Sequence, residues 1–333
     1  MAWRRYHVVL LVLLLAGCAS RPPLLPSLLT AETAVSRLEI EATPFHPQNR
    51  YQCGPAALAT LLDHSGVSVT AETLVPLVYL PDKKGSLQVE MVAASRRLGR
   101  IPYVINPDLT ALIGELQANR PVLVLQNLGL QLWPIWHYAV VIGYSAKADE
   151  IILRSGVTRR EILSAHRFLD TWKRSDHWAM VLLEPGEMPT RPKELPYLKA
   201  VAAMEHLVPV DSLISAYRAA LNQWPESTTA LFGLAASLHT KGELTAAEQS
   251  YRKLLTAKPD HIAAHNNLAE VLADRGCYEE ALFMIERALL KDPGILHQHL
   301  VETGREIESR KTNRPPRHSP CQRMTIHKQS MLP

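Results

Sequence analysis

Cysteine is scarce in this sequence, with four residues in a chain of 333. That number excludes a disulfide framework, in which bridges replace a hydrophobic core. Charged residues make up 20% of the chain and apolar residues 47%, a balance that excludes disorder throughout. The length is sufficient for two domains, each large enough to bury a core of its own.

Several kinds of site are also missing from the sequence. It contains no Walker-type stretch and no other glycine-rich loop that would hold phosphates, so we expect no ATP binding. The 14 histidines show no metal-ligand spacing with partners, and no stripe of basic and aromatic residues indicates nucleic-acid binding. We therefore expect no metal, no cofactor and no nucleic-acid partner.

The formal net charge of +4 is unevenly distributed along the chain. The first 17 residues hold two basic residues, the last 21 hold four, and neither stretch contains an acid. Residues 18–312 therefore carry 30 basic and 32 acidic residues, so the net charge does not predict an acidic partner for the folded part. Residues 312–333 lack acids and periodicity, which predicts a disordered tail.

The N-terminus has the pattern of a secretory signal. Residues 8–15 form an unbroken apolar run of eight, which is too short to span a membrane. Arg4 and Arg5 precede this run, and the small residues Ala16 and Gly17 follow it. Positive, apolar and small-residue regions in this order are typical of a signal peptide.

Residues 15–18, Leu-Ala-Gly-Cys, resemble the bacterial lipobox. The resemblance implies cleavage before Cys18 and lipidation of its sulfur and new amino group, and Ala19 at the next position implies sorting to the outer membrane. We expect a signal peptide over residues 1–17, a lipidated tether over 18–38, and a cell-envelope protein that faces the periplasm. The alternative is an ordinary secretory signal with a chance cysteine.

Residues 39–185 combine helical and strand patterns. Apolar residues recur with helical spacing in residues 54–64, 87–98 and 109–118. Short apolar or β-branched runs, separated by turn residues, then predict strands over residues 122–126, 138–144, 150–154 and 178–183, with a helix over residues 160–174. Helices followed by a mainly antiparallel sheet indicate an α+β domain. Four prolines in residues 185–196 predict a linker over residues 186–196.

The second half of the chain repeats with a period of 34 residues. Residues 227–260 and 261–294 share alanines, leucines, a glycine and a final proline at matching positions, and residues 193–226 form a degraded copy. Gly242 and Gly276 are expected to end the first helix of each pair in a left-handed conformation. The pattern resembles the tetratricopeptide repeat. That resemblance implies an all-α solenoid over residues 197–311, ending in a capping helix, with a protein partner on its surface.

One stretch of the first domain has the residue types of a nucleophilic site. Gly54, Pro55 and an apolar helix follow Cys53, which places the thiol at a helix N-terminus, where the dipole and free N–H groups lower its pKa. His137 begins an apolar strand far along the chain. A cysteine at a helix start and a histidine on a distant strand form the papain-like arrangement.

The residues around both positions resemble a specific family. Gln48, the segment Tyr-Gln-Cys-Gly-Pro-Ala-Ala-Leu at 51–58 and His-Tyr-Ala-Val-Val at 137–141 are similar to the double-glycine cysteine peptidases that process bacteriocin leaders. The resemblance implies a papain-like fold, a peptide or protein substrate, Cys53 as nucleophile and His137 as general base. It also implies Gln48 as an oxyanion donor, with Gln52 as a nearer competitor.

The third position of the triad departs from the family pattern. The family carries an acid on the strand after the histidine strand, where this sequence has Ser155. A serine can bond the histidine but lacks the charge that stabilises an imidazolium, and Asp149, on the turn before that strand, is the alternative. We predict a cysteine peptidase, with a peptide-binding scaffold that does not cut as the second hypothesis.

Two further features keep alternatives open. Trp133, Trp136 and Tyr138 flank the histidine, either as core residues or as the wall of a substrate groove. Cys277 lies at the turn of a repeat and Cys321 in the tail, and a disulfide between them is one alternative outside the cytoplasm.

Overall fold

The structure is a computed structural model that describes residues 21–28, 35–48, 51–291, 293–313 and 321. The predicted signal peptide, Cys18 and most of the predicted tail lie outside these residues. Within the described ranges, no helix has both the length and the apolar character needed to cross a membrane.

The first part of the chain contains seven strands and six α-helices among the described residues. In chain order they are α1 (Leu25–Leu28), β1 (Arg37–Glu39), α2 (Cys53–His64), α3 (Ala71–Val78), α4 (Gln88–Arg97), β2 (Ile101–Val104), α5 (Leu109–Gln117), β3 (Val122–Asn127), β4 (Trp136–Ser145), β5 (Glu150–Ser155), β6 (Thr158–Ser164), α6 (Ala165–Lys173) and β7 (Ala179–Leu183). The strands form one antiparallel sheet in the order β2-β7-β3-β4-β5-β6, and β1 also pairs with β4. This confirms the α+β order, together with three predicted helices and four predicted strands.

The helix predicted over residues 160–174 is wrong in its first five residues. Residues 158–164 form β6, which pairs with β5 across a tight turn at Gly156, where φ is +62°. Because β5 offers a free edge and glycine adopts this turn conformation readily, the segment pairs as a strand. Helix α6 starts only after Ser164, whose hydroxyl accepts a hydrogen bond from the backbone N–H of Arg167.

The predicted tether is also packed against the domain where the structure describes it. Leu25 is fully buried. The Asp149 carboxylate accepts hydrogen bonds from the backbone N–H groups of Leu24 and Leu25, at 2.9 and 2.8 Å. Residues 21–28 therefore do not stand off from the domain, because Asp149 caps α1 and holds it against the sheet.

The sheet separates two apolar clusters. Tyr138 and Val140 lie in the cluster that packs against α2, α3 and α4. Ala139 and Val141 alternate with them and lie in the cluster on the opposite face, which contains α5 and α6 and continues into the second part of the chain. Strand β4 is therefore buried on both faces along most of its length.

The second part of the chain is helical. Its elements are α7 (Glu194–Ala202), α8 (Val210–Gln223), α9 (Thr228–Lys241), α10 (Leu244–Ala257), α11 (Ile262–Asp274), α12 (Tyr278–Leu289) and α13 (His297–Asn313). Gly242 and Gly276 have φ values of +84° and +83°, which confirms the predicted left-handed glycines. The capping helix, predicted over residues 295–310, is α13, which begins two residues later and ends three residues later.

The two parts of the chain are closely joined. Helix α7 begins inside the predicted linker, and the preceding residues are held in place. Thr190 donates two hydrogen bonds to Glu115, and the backbone N–H of Lys193 donates to the Tyr103 hydroxyl.

At the other end of the repeats, a disulfide joins Cys277 to Cys321.

Gly233 allows α8 and α9 to approach closely, because a Cβ atom at this position would collide with the Tyr217 ring. We expect Gly233→Ala to lower the free energy of unfolding by about 1–3 kcal/mol, since the packed ring has no free space to move into. Urea unfolding measures the effect. Thr240→Ala, on the exposed side of α9, is the control and should change stability by less than about 0.5 kcal/mol. Equal stability of the two variants would contradict the packing described here.

Candidate active site

Helix α2 places Cys53 at its first position. Gln52 is the N-cap residue and makes no side-chain capping bond, so the first-turn amides lack a side-chain cap. Gly54 is required by a close approach, because a Cβ atom there would collide with the Ser86 side chain. Backbone amides of Cys53, Gly54 and Tyr138 hydrogen-bond to the sulfur. The thiol therefore meets β4 at the residue that follows His137.

The charge state of the thiol differs from the sequence-based expectation. Burial raises the pKa of Cys53 above its usual value of 9.0, and the three amide hydrogen bonds offset this only in part. The sequence predicted a lowered pKa from the helix N-terminus alone, and that prediction is wrong because desolvation is the larger effect. At neutral pH the resting group is a thiol.

His137 is the second residue of β4 and pairs with Gln126 of β3. Its Nε2 atom lies 3.0 Å from the Ser155 hydroxyl oxygen. Burial lowers the pKa of His137 below its usual value of 6.5, while the Glu161 carboxylate acts in the opposite direction. The imidazole is therefore neutral at pH 7, the form that can accept a proton.

Ser155 is the last residue of β5 and contacts both sides of the site. It lines a narrow crevice that also contains Cys53, Gln48 and Tyr138. It also lines the cavity that contains His137. The structure thus brings Ser155 next to the His137 imidazole, as the sequence predicted for the third position of the triad. Cys53 and His137 themselves line two different spaces, and Ser155 lines both.

Gln48 reaches the crevice on a segment that β5 holds in place. Its backbone N–H donates to the Gly156 carbonyl at 3.1 Å. The buried Arg154 guanidinium donates to the carbonyls of Glu41 and Thr43, which fixes the preceding residues. Gln48 lines the crevice with the thiol, whereas Gln52 does not, so the geometry favours Gln48 as the oxyanion donor.

Asp149 cannot replace the missing acid. It precedes the first residue of β5, whereas Ser155 is the last, and six residues of strand extend about 20 Å. The Asp149 carboxylate instead caps α1.

Glu161 is the acid that sequence reasoning missed. It lies on β6 opposite Leu153, and its carboxylate lines the same cavity as His137 and Ser155. Because residues 160–174 were predicted to be helical, Glu161 was expected on a helix, and only the strand register identifies it as a neighbour of the site.

The cavity beside His137 has a volume of about 430 Å³. Its walls come from β3, β4, β5, β6 and α6, and they carry both signs of charge: Gln126, Leu128, His137, Ser155, Glu161, Leu163, Arg167, Asp170, Thr171 and Arg174. Its size and mixed lining suit a polar peptide segment better than a purely apolar ligand. Within the described ranges, no group of three or more His, Cys, Asp or Glu side chains could hold a metal ion.

The three aromatic residues around the histidine fall into two groups. Tyr138 is buried and belongs to the core beside α2, where its ring packs edge-on against Trp178. Trp133 and Trp136 are exposed. The core interpretation therefore holds for Tyr138 and fails for the two tryptophans.

Comparison with known proteins identifies both parts of the chain. Residues 40–180 match the Peptidase_C39-like family, and residues 214–262 match the tetratricopeptide repeat. The mixed α/β part of the chain thus matches C39-like peptidases and the helical part matches tetratricopeptide repeats, which confirms the two resemblances found in the sequence. No curated protein matches the chain.

Solved structures resemble each part separately. The peptidase domain of Streptococcus ComA, described as a bifunctional ABC transporter involved in quorum sensing, is 25% identical, with a TM-score of 0.35. The match covers 42% of this chain and 97% of that one. For a putative C39-like peptidase from Bacillus anthracis the identity is 15%, the TM-score 0.38 and the coverages 44% and 98%. The TPR2B domain of yeast Sti1, in a complex with pHsp70, is 17% identical, with a TM-score of 0.32 and coverages of 35% and 94%.

The position of Glu161 can be tested through the titration of His137. We expect Glu161→Gln to lower the pKa of His137, because it removes the negative charge that favours the imidazolium. Nitrogen-15 NMR of the imidazole across pH measures this pKa. Asp170→Asn is the control, since Asp170 lines the same cavity but pairs with Arg21. An unchanged or raised pKa in Glu161→Gln would contradict the assignment.

Proposed function

We propose that this chain is a membrane-anchored cysteine peptidase that cuts peptide bonds with Cys53 and His137. The proposal is supported by one arrangement above all. The Cys53 sulfur accepts a hydrogen bond from the backbone N–H of Tyr138. His137, the residue before Tyr138, has its Nε2 atom 3.0 Å from the Ser155 hydroxyl oxygen. The proposed nucleophile thus adjoins the strand residue that follows the proposed base, and Ser155 lines both the crevice of Cys53 and the cavity of His137.

The proposed reaction starts from a neutral pair. With Nε2–H donating to the Ser155 oxygen, the Nδ1 atom of His137 carries the lone pair and takes the proton from Cys53. The sulfur then bonds to the scissile carbonyl carbon, and the oxyanion accepts hydrogen bonds from Gln48 and from the backbone N–H of Cys53. His137 returns the proton to the leaving amine. A water molecule, deprotonated by His137, then attacks the acyl carbon and displaces the sulfur. His137 gives this proton to the sulfur, which restores the thiol.

Ser155 and Glu161 act in this proposal as positioning residues. Ser155 holds the imidazole in one tautomer, while Glu161, from across the cavity, supplies negative charge that favours the imidazolium. The charge is more distant than a carboxylate bonded directly to Nε2, so we expect a slower enzyme than one with an acid at position 155.

Lipid on Cys18 would attach the enzyme to a membrane, for which we propose the outer membrane facing the periplasm. The repeats would bind a protein partner or recruit the substrate, in keeping with the role of tetratricopeptide repeats as interaction modules. The alternative function is a peptide-binding scaffold in the cell envelope with little or no catalysis. Ser155 in place of an acid and the raised pKa of Cys53 favour that alternative.

Peptide cleavage separates the two functions. Incubation of the purified protein with a random peptide pool should produce new peptide termini, detected by mass spectrometry. Cys53→Ala should abolish them, and His137→Ala should slow their formation about a thousandfold. If the native protein binds peptides but forms no Cys53-dependent termini, the scaffold function is correct.

Position 155 offers a gain-of-function test. Ser155→Asp should raise the cleavage rate by about tenfold or more, because it places a carboxylate next to Nε2. Ser155→Ala should lower the rate, since it removes the group that orients the ring. Ser145→Ala, at the far end of β4, is the matched control. Equal rates in the Asp and Ala variants would contradict the role of position 155.

The pH dependence tests the neutral pair. Because the pKa of Cys53 is raised, alkylation of the resting thiol by iodoacetamide should accelerate with rising pH through values above 9.0. Because the pKa of His137 is lowered and its neutral form is the base, kcat/KM should fall only below pH 6.5. A plateau of alkylation between pH 5 and pH 8 would instead reveal a preformed thiolate–imidazolium pair.

A further inference from the structure

The connection between β3 and β4 is strongly apolar and exposed. We call residues 128–136, Leu-Gly-Leu-Gln-Leu-Trp-Pro-Ile-Trp, the apolar loop; it contains no charged residue. Six large side chains are exposed here: Leu128 by 49%, Leu130 by 64%, Leu132 by 81%, Trp133 by 71%, Ile135 by 61% and Trp136 by 52%. An exposed apolar patch of this kind marks an interaction surface.

The apolar loop has a defined conformation. The side chain of Asn127, only 2% exposed, accepts hydrogen bonds from the backbone N–H groups of Gly129 and Ile135, both at 2.9 Å. The backbone N–H of Leu128 also donates to the Ile135 carbonyl at 2.8 Å. A Cβ atom at Gly129 would collide with the Trp133 carbonyl. The fold therefore holds these apolar side chains outward on an ordered element.

The apolar loop lies close to the start of the described chain. Arg174 donates to the carbonyls of Asn127 and Gly129, at 3.2 and 2.8 Å. Asp170, one helical turn earlier, pairs with Arg21 at 3.0 Å. Arg21 and the base of the apolar loop are thus attached to adjacent turns at the end of α6. Cys18 precedes Arg21 by three positions in the sequence, and three fully extended residues span at most about 11 Å.

We propose that the apolar loop inserts into the surface of the phospholipid bilayer, beside the lipid on Cys18. Tryptophan with large aliphatic residues is the composition of protein segments at the membrane interface. The charges on and just after α6 nearly balance, with Arg167, Lys173 and Arg174 against Asp170 and Asp176, so the apolar side chains supply the contact. The proposal rests on the lipidation part of the proposed function and is independent of the peptidase mechanism.

Membrane contact through the apolar loop would set the position of the candidate active site. Trp136 directly precedes His137, and Leu128 lines the cavity beside the imidazole. Insertion would hold this cavity at the bilayer surface, so that its substrates would be peptide segments lying close to a membrane.

Fluorescence quenching tests the insertion directly. The full lipidated protein is reconstituted in vesicles of phosphatidylethanolamine and phosphatidylglycerol with brominated acyl chains, which quench tryptophans at the interface. We expect quenching that falls in Trp133→Phe and in Trp136→Phe. Trp224→Phe, in the repeat region, is the matched control and should leave the quenched fraction unchanged.

Transfer of the protein between vesicles gives a second measurement. The double variant Leu132→Ser/Trp133→Ser should leave the vesicles about tenfold faster than the native protein. It keeps the lipid on Cys18 but loses the contact of the apolar loop with the bilayer. Leu290→Ser, at a side chain 79% exposed on the repeats, should transfer at the native rate. Cys53→Ala should behave as the native protein in both measurements, which separates this test from failure of the peptidase mechanism.

Three outcomes would overturn the proposal. One is a mass spectrum that shows no lipid on Cys18. A second is unquenched Trp133 together with an unchanged transfer rate. The third is that the apolar-loop variants change only the KM for a soluble peptide, measured without vesicles. The loop would then be a wall of the substrate groove.

Discussion

Strand β4 is the element on which both the core and the candidate site depend. It pairs with β3 and β1 on one side and with β5 on the other, and its alternating side chains enter the two apolar clusters. Gly143 permits this pairing, because a Cβ atom there would collide with the backbone of Leu38 and Glu39. Since β4 has little freedom to move, His137 at its start and the Tyr138 amide next to Cys53 are held in fixed positions.

The same burial that fixes these groups also determines their charge. Desolvation raises the pKa of Cys53 and lowers that of His137, so both shifts favour the uncharged pair. A carboxylate bonded to Nε2 would oppose this effect, but the bonded group is the Ser155 hydroxyl, and Glu161 acts only across the cavity. In the proposed mechanism the proton therefore moves from Cys53 to His137 only after the substrate has bound, as the oxyanion forms beside Gln48.

Much of this arrangement was predictable from sequence, and the failures have physical causes. The apolar residues after Cys53 keep helical spacing, and those after His137 form an uninterrupted apolar run typical of a buried strand. The predicted bounds of α2 and β4 are therefore close to the observed bounds. Residues 158–164 form a strand because β5 offers a free edge, and a tertiary contact of this kind leaves no local signal. Glu161 was missed for the same reason. The pKa of Cys53 depends on how closely β4 covers the thiol, which the helix N-terminus alone does not reveal.

The central claim is that Cys53 becomes acylated with the help of His137. Acid quenching of the protein during incubation with a peptide pool, followed by mass spectrometry of its tryptic digest, tests that claim most directly. The account predicts peptidyl adducts on the fragment that contains Cys53 in the native protein, and their loss in His137→Ala. A native protein that carries no adduct on Cys53, while peptides bind to it, would contradict the account.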